Sequence, residues 1–587
     1  MKSRNVFTRV LAFALIAVML LGLAACGGGG SSEDTYNITY WIPKGEDASF
    51  YAEYEDNPVI KYITSNNEFN GKKISFDFFV APPGAERDDF STLMSTGSYC
   101  GVMDMSMAEI TEVELFEEGI TWDLTELVPQ HMPNMMNFLK ENPQLEEYLY
   151  TYVDGEAKIL QLRGFRATRE PNFQGFAYRR DWVAKYGKNP VTSEAFTYGF
   201  ADEADQESWQ DNVVFPSGGT DPIYISDWEW MFEIFTKAME EQGITDGYCY
   251  SPYYLGYSAV GDLYTGFGGG APDWYYDGEK IVYGLTNDNM RAYLQCLNTW
   301  YKNGWMDQTF DEHTGDMFFA VDAASVFQGK VGLWQGRQST VGTQLDSNDG
   351  GFTEGAVVYG CRQPINDVYG GEAQKNKEPN MMFQYARYDQ PVVLTKKMTE
   401  EEVIAFLQFA DYLYTEEGYM LANNGLSKEQ YEQCQDEFYT KQGFTEGGYY
   451  IAEENGESVI YSRVDASTTL YNAVKMDRIV VRLGVMTADR GYDRYLTDAI
   501  ANWDYYENTA SVPYKVTSSV SIEQNQQITK MLAPLNQFLA RSIAPMIKGE
   551  VYDVWDDAQW DSYVSSVNKY RANEITKIYQ EILDSFN

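Results

Sequence analysis

Short apolar strands alternate with helical segments along most of this chain, and this alternation constrains its fold more than any other feature. Residues 38–42 alternate apolar and polar side chains, and residues 74–80 repeat the pattern beyond a helical segment around residues 59–63. Residues 101–105 form a short apolar run, and a helical pattern over 108–118 follows it. Strands and helices in this order favour an α/β fold in which mostly parallel sheets are flanked by helices.

The same alternation resumes further along the chain. The 587 residues are too many for one hydrophobic core, so we expect at least two domains. The second series contains predicted strands over 175–180, 330–334, 355–361 and 391–394, predicted helices over 226–242, 288–303 and 400–421, an inserted polar loop over 199–220, a hairpin over 449–461 and a mostly helical region over 522–587.

The first 32 residues have the pattern of an export signal. Basic residues precede an apolar run over 10–23, small residues follow, and Cys26 stands directly before a Gly/Ser stretch over 27–32. The apolar run is shorter than the roughly 20 residues that span a bilayer. The cysteine resembles that of a bacterial lipobox, which predicts a lipidated Cys26 that anchors the protein on the extracytoplasmic face of the cell membrane. Ordinary cleavage near Ala25, with Cys26 incidental, is the alternative.

The charge balance limits the partners of the chain. It contains 87 acidic and 44 basic residues, a formal net charge of −43. Nucleic acid binding needs clustered Lys and Arg, so nucleic acid is not expected as a partner. An anionic bilayer surface and a polyanionic substrate are disfavoured for the same electrostatic reason. Neutral ligands and cations remain, and the acidity also serves as a solubilising surface.

Metal, redox and nucleophilic chemistry have little support in the sequence. Apart from Cys26, five cysteines stand far apart without CxxC pairing, and there are two histidines, so we expect no disulfide scaffold, zinc site or histidine triad. The crowded acidic residues over 202–207 miss the EF-hand spacing, so we expect a solvated loop there, with a calcium site as the alternative. We expect no cofactor and no metal. By contrast, 46 tyrosines and 13 tryptophans are more than a core requires.

Six segments, in order along the chain, resemble motifs of one protein family. They cover residues 90–99 with 102–104, 117–127, 178–182, 329–334, 409–418 and 549–562. Together with the lipobox-like cysteine in front of them, they make the chain similar to the extracellular solute-binding proteins of bacterial ABC importers, family 1. The resemblance is to the large lipoprotein branch associated with oligosaccharide uptake. Residues 99–101 depart from the family pattern, which has Pro-Asp there.

The resemblance implies a two-lobed periplasmic-binding-protein fold of type II, in which a cleft between two α/β lobes holds the ligand. It further implies a lipid-anchored monomer that captures a carbohydrate, expected to be an oligosaccharide, and delivers it to the transmembrane subunits of an ABC permease. We expect the signal peptide over 1–25, the linker over 26–36, the N-terminal lobe over 37–170 and 367–428, and the C-terminal lobe over 171–366 and 429–587.

Sugar recognition indicates which side chains to consider as ligand contacts. Flat aromatic rings cover the C–H faces of a pyranose, while polar and charged side chains bind its hydroxyls. Ligands of open α/β sheets lie beyond the carboxyl ends of the strands. This rule, with the aromatic clusters, predicts as ligand contacts Trp41, Asp104, Ser106, Trp228, Trp274, Tyr275, Trp334, Gln335 and Arg337. The alternative for the aromatic residues is packing within their own lobe, and for Arg337 a surface salt bridge.

Three other functions remain as alternatives. A surface glycosidase needs two carboxylates about 5 to 10 Å apart, and so many acidic residues could supply such a pair by chance. The ligand could also be a peptide or another non-sugar solute. A surface adhesin would predict internal repeats, which the sequence lacks. We expect a binding protein and not an enzyme.

Overall fold

The computed structural model divides the chain into two units. Unit 1 comprises Met1–Glu170 and Ala386–Arg490, and unit 2 comprises Pro171–Tyr385 and Gly491–Asn587. The residues that the structure describes are 34–44, 50, 53–166, 172, 174–199, 208–252, 259–312, 323–343, 345, 355–380, 387–454, 456–464, 469–476, 479, 481–484, 493–507 and 510–586. The predicted signal peptide, Cys26 and the acidic residues over 202–207 lie outside these ranges.

The strands and helices of both units follow in chain order. The strands are β1 Thr35–Ile42, β2 Lys73–Val80, β3 Val102–Asp104, β4 Thr151–Val153, β5 Glu156–Lys158, β6 Gln174–Arg179, β7 Tyr248–Ser251, β8 Trp274–Tyr276, β9 Ile281–Tyr283, β10 Val331–Arg337, β11 Val358–Cys361, β12 Val392–Leu394, β13 Tyr449–Glu454 and β14 Glu457–Ser462. The helices are α1 Pro58–Asn66, α2 Glu86–Thr96, α3 Glu112–Glu117, α4 Leu127–His131, α5 Pro133–Glu141, α6 Pro143–Glu146, α7 Arg180–Tyr186, α8 Ile225–Gln242, α9 Asp288–Lys302, α10 Ala323–Phe327, α11 Glu400–Tyr412, α12 Glu416–Asn424, α13 Lys428–Cys434, α14 Glu437–Gln442, α15 Leu470–Ala473, α16 Arg494–Trp503, α17 Tyr514–Thr517, α18 Ile522–Ala540, α19 Ile543–Lys548, α20 Asp557–Lys569 and α21 Ala572–Ser585.

The sheet of unit 1 has the strand order β12-β3-β1-β2. β1 pairs in parallel with β2 along its whole length and with β3, while β12 pairs antiparallel with β3. The alternation in β2 buries Ile74, Phe76 and Phe78 on one face, where they pack against α1 and α11. Helix α1 begins where the sequence predicts, because the Asn57 side chain accepts hydrogen bonds from the N–H groups of Val59 and Ile60.

The sheet of unit 2 has the order β11-β6-β10-β7 and is mixed, not mostly parallel. β10 is parallel to β7 but antiparallel to β6, and β6 is also antiparallel to β11. The antiparallel pairs of the two sheets involve β6 and β12, with which the chain enters unit 2 and re-enters unit 1. Two parallel neighbouring strands need a crossover connection, usually a helix. A strand with which the chain enters a unit is not preceded by such a crossover, so it can pair antiparallel.

The chain passes between the two units after residues 170, 385 and 490, whereas the lobe bounds predicted from the sequence place these crossings after 170, 366 and 428. The chain returns to unit 1 at residue 386 instead of 367, because the intervening segment packs on α8 and α9: the Tyr369 hydroxyl donates to Glu229 and the Gln374 amide to Asn289. It leaves unit 1 at residue 490 instead of 428. Tyr439 belongs to the unit 1 core, and its hydroxyl donates to the carbonyl of Val474.

Several elements differ from their predicted bounds for local reasons. The predicted linker ends early, since β1 begins at Thr35. The single helix predicted over 400–421 is two helices, because Thr415 caps α12 and Gly418 lies against the Tyr412 carbonyl, where a Cβ would be 2.0 Å away. Helix α8 begins at Ile225, one residue before the predicted start, and the Asp227 side chain in its first turn accepts a hydrogen bond from the backbone N–H of Tyr224. Of the inserted loop predicted over 199–220, the structure describes a 3₁₀ turn over Ser208–Asn212.

Strand β10 extends three residues beyond its predicted end. Its predicted bounds were 330–334, but the strand continues to Arg337, which pairs with Gln174. Gly336 stands inside the strand, and a Cβ there would lie 2.6 Å from the Trp334 indole nitrogen and from the Thr340 hydroxyl. Close packing therefore explains a glycine that in the sequence looked like a strand end. None of the helices in the described ranges has both the length and the apolar character that a bilayer crossing needs.

Candidate functional site

A cavity of about 310 Å³ lies in unit 2, where the end of β11 meets α16. Its lining combines aromatic, charged and amide side chains. The lining residues are Asp221, Tyr359, Gly360, Arg362, Tyr495, Asp498, Ala501, Asn502 and Tyr505. The volume is at the lower end of the range of small-ligand pockets, which is roughly 300–1,000 Å³.

Helix α16 is held closely against β11, and this contact positions one side of the cavity. A Cβ on Gly360 would lie 2.4 Å from the Cβ of Ala499, so only glycine permits this approach. The Asn502 amide donates to the Gly360 carbonyl, and the Trp503 indole donates to the Phe176 carbonyl on β6. Residues 495, 498 and 502 of this region stand at helical spacing i, i+3 and i+7, which places them on one face of α16.

The Tyr359 ring is fixed from two sides. Its hydroxyl lies 3.1 Å from Gln210 Oε1 and 3.2 Å from Asp211 Oδ1, and it accepts a hydrogen bond from Arg494. The guanidinium of the fully buried Arg180 lies 4.8 Å from the centre of the same ring. Burial raises the pKa of the Tyr359 hydroxyl well above its usual value, so the phenol is neutral and can donate.

Arg362 and Tyr505 form a stacked pair in the lining, in which Arg362 is half-buried and Tyr505 is exposed. The Arg362 guanidinium lies 3.6 Å from the centre of the Tyr505 ring, a close cation–π contact. Tyr505 is 55% exposed, so this ring is reachable by a ligand. Within the described residues, Arg362 Nε is buried and has no hydrogen-bond acceptor. The pair therefore offers an accessible ring and an uncommitted donor side by side.

Asp221 supplies the opposite charge. Burial raises the pKa of its carboxyl, as does repulsion from Asp498, while Arg180 and Arg362 act in the opposite direction. Among the described residues no donor or cation contacts this carboxylate within hydrogen-bond or ion-pair distance. The cavity thus combines ring faces, N–H donors and carboxylate acceptors, which is the set of groups that binds a small molecule with an apolar face and hydroxyls on its rim.

A second polar and aromatic group lies in unit 1, at the carboxyl end of β3. Asp104 is 4% exposed, and burial raises the pKa of its carboxyl; Asp389 adds repulsion. Tyr388 stacks on Tyr148 with ring centres 4.2 Å apart, and the Arg163 guanidinium lies 5.0 Å from the centre of the Tyr388 ring. This group has the same chemical character as the unit 2 cavity.

The predicted contacts of unit 1 divide into one buried ring and one polar turn. Trp41 is fully buried, packs edge-on against Phe90 at 5.3 Å and donates its indole N–H to Asp89 at 2.8 Å. Asp104 accepts a hydrogen bond from the backbone N–H of Ser106, whose side chain is exposed. The structure therefore brings Asp104 and Ser106 together and places Trp41 in a neighbouring core cluster.

The predicted contacts of unit 2 are mostly packed within it. Trp334 and Trp228 are fully buried, Gln335 and Tyr275 are 5% and 6% exposed, and Arg337 is half-buried at the end of β10. Trp274 lies in strand β8, and its indole donates to Thr576. None of these side chains lines the unit 2 cavity as the structure describes it, so their contact with a ligand stays a prediction.

The cavity residues were missed by the sequence analysis, although one signal was available. Arg362 directly follows the predicted strand over 355–361, so the strand-end rule that selected Arg337 also selects it. Tyr359 stands inside that strand, and the α16 residues are far away in sequence. No local pattern joins them to the strand. Within the described residues, no group of three or more Asp, Glu, His or Cys side chains could hold a metal ion.

Comparisons with known proteins place this geometry within one fold. No protein-family model matches the chain, and no curated protein matches it in sequence. An extracellular solute-binding protein from Bifidobacterium longum subsp. infantis is similar in structure, with a TM-score of 0.64, 13% identity, and coverage of 94% of this chain and 99% of that one.

Two further solved structures agree. The substrate-binding protein FusA of a Streptococcus pneumoniae ABC transporter, an EF-hand mutant in complex with fructo-nystose, has a TM-score of 0.60 at 14% identity, covering 94% of this chain and 99% of its own. An HMO-binding, ABC-transporter-associated solute-binding protein from Bifidobacterium longum infantis has the same TM-score, identity and coverage. The chain therefore has the type II periplasmic-binding-protein fold of two α/β lobes that extracellular solute-binding proteins share, as the resemblance predicts.

Proposed function

We propose that this protein is the extracellular substrate-binding protein of an ABC importer and that it captures a carbohydrate, specifically an oligosaccharide. The observation that carries the proposal is the unit 2 cavity, in which the exposed ring of Tyr505 adjoins Arg362, Asp221 and Asn502. The fold supports it, and so do the fructo-nystose complex and the HMO-binding function of two structural neighbours.

The physical basis is a match between the cavity and a sugar ring. An aromatic side chain covers an apolar sugar face with little loss of conformational entropy, because it has few rotatable bonds. The hydroxyls on the rim of the sugar then need donors and acceptors, which Arg362, Asn502 and Asp221 supply. Hydrogen bonds to charged groups are about twice as strong as neutral ones, so these contacts fix the orientation of the ring.

Anchoring and delivery complete the proposal. Lipidation of Cys26 would hold the protein at the extracytoplasmic face of the membrane, near the permease subunits that receive the solute. A Gly/Ser sequence such as the one after it would serve as a linker between the membrane surface and the body of the protein. Such a receptor releases its ligand unchanged, so we propose no catalytic role for any residue.

The test is to incubate the purified protein with neutral trisaccharides of different linkage while recording both thermal unfolding and reaction products. A ligand that binds only the folded state stabilises it by about 2.7 kcal/mol at a hundred times its dissociation constant. We expect at least one trisaccharide to raise the Tm in a concentration-dependent manner and to be recovered intact. Glycerol at equal concentration controls for nonspecific solute effects.

Each other outcome contradicts a specific part of the proposal. Release of shorter sugars would make the protein a glycoside-acting enzyme. Stabilisation by peptides alone, with no response to any glycan, would make it a peptide receptor. No stabilisation by either class would remove solute capture as its function.

A further inference from the structure

We infer that the unit 2 cavity selects its sugar by charge, accepting an uncharged or cationic unit and excluding a unit that bears a carboxylate. The inference rests on the carbohydrate-binding function proposed above and specifies the class of sugar that the same site takes.

The fixed charges of the lining are the first argument. Among the described lining residues, Asp221 and Asp498 are acidic and Arg362 is basic, so the acidic side chains are in excess. The Asp221 carboxylate contacts no donor or cation among the described residues, which leaves its oxygens available to accept from sugar hydroxyls. A ligand carboxylate in the place of a hydroxyl donor would bring a second negative charge next to the Asp221 carboxylate, and two like charges in contact repel each other.

Two of the three basic groups near the cavity are held by protein acceptors and do not pair with a ligand, although the charge of Arg180 acts on Asp221. Arg362 stacks on Tyr505, which leaves its edge N–H groups as donors. Arg180 is fully buried and donates to the Tyr178 hydroxyl and to the Gln210 and Thr220 carbonyls. Arg494 forms an ion pair with Asp211. The two arginines outside the lining are therefore committed to protein acceptors.

The volume is the second argument. About 310 Å³ is the lower limit for ligand pockets, so the cavity holds one ring-sized unit and not a long chain. The formal net charge of −43 adds a longer-range repulsion of anionic glycans, which salt screens beyond about 10 Å.

The experiment compares three forms of one ligand by isothermal titration calorimetry. The neutral trisaccharide with the largest thermal shift is prepared with its terminal C6 hydroxyl unchanged, oxidised to a carboxylate, or replaced by an amine. We expect the carboxylate form to bind at least about tenfold more weakly than the neutral form, and the amine form to bind as well or better.

Two variants connect the effect to the cavity. Asp221→Asn keeps an acceptor oxygen but removes the charge, and we expect it to reduce the tenfold ratio to about threefold. Asp246→Asn removes one charge from an exposed pair with Lys330 on the same unit, outside the lining, and should leave the ratio unchanged. A carboxylate form that binds as tightly as the neutral form, or a ratio that Asp221→Asn does not alter, overturns the inference but leaves the proposed function intact. If no glycan form binds, the proposed function and the inference both fail.

Discussion

Trp334→Ala should reduce the free energy of unfolding of the protein by about 3–5 kcal/mol, because the side chain is a core residue of unit 2. Trp334 is fully buried in the central strand β10. It packs in an apolar cluster with Ala177, Val326 and Leu345. Truncation to alanine loses the transfer free energy of the ring and leaves a cavity that a central strand cannot close. Urea unfolding of the wild-type and variant proteins measures the change.

The same variant separates packing from ligand stacking. Trp334→Phe keeps a ring in the core and should cost clearly less stability than the alanine variant. Glycan affinity, measured on folded Trp334→Ala protein at low temperature, should stay within about threefold of wild type. A variant that is as stable as wild type but binds glycan about tenfold more weakly would contradict the core role and support the stacking that the sequence predicts.

Asp181→Ala should destabilise unit 2 by about 3–5 kcal/mol, since it leaves a buried guanidinium without its counter-charge. Arg179 and Asp181 form a two-point pair with distances of 2.9 and 2.7 Å, and their side chains are 3% and 8% exposed. Asp181 also accepts from the Val357 N–H just before β11. The pair thus connects β6 to the strand that carries the candidate site. Thermal and urea unfolding measure the loss.

An exposed ion pair on the same unit provides the matched control. Asp246→Ala breaks the contact with Lys330, where the aspartate side chain is 67% exposed, and should cost far less stability than Asp181→Ala. The double variant Arg179→Met/Asp181→Leu should recover most of the stability that Asp181→Ala loses, because apolar side chains carry no desolvation cost. Equal losses for Asp181→Ala and Asp246→Ala would contradict the account.

Local patterns in the sequence predict most of the individual elements. The alternation in residues 38–42 and 74–80 places β1 and β2, and the hairpin predicted over 449–461 corresponds to the paired strands β13 and β14. These elements depend on side chains close in sequence. Strand direction in the second sheet was not predictable in this way, because β6 pairs with strands more than 150 residues away.

Unit boundaries and the candidate site depend on contacts that no local pattern records. The segment after residue 428 remains in unit 1 through the hydrogen bond of Tyr439 to Val474 and through a shared core. The segment at residues 178–182, which carries part of the family resemblance, supplies the buried pair of Arg179 and Asp181. Its role in the described structure is to join strands.

In unit 2 the strand-end rule selected residues of β10, whereas the candidate cavity lies at the end of β11. The rule selected Trp334 and Arg337 after a strand assumed to end before Gly336, whereas β10 continues to Arg337. Applied to β11, the same rule gives Arg362, which lines the cavity. Tryptophans were selected as candidate contacts because their rings suit sugar stacking. Large apolar side chains are, however, also those that a central strand buries most completely.

The most direct test of the carbohydrate site is calorimetric titration of the best-binding neutral trisaccharide into wild-type and Tyr505→Ala protein. Tyr505 is exposed and contributes an accessible ring, so its removal should weaken binding by about 1–3 kcal/mol, on the scale of aromatic stacking, with little change in stability. Tyr450→Ala removes a similarly exposed ring from the β13–β14 hairpin of unit 1 and should leave the affinity unchanged. Equal affinity of the wild-type and Tyr505→Ala proteins would contradict the account.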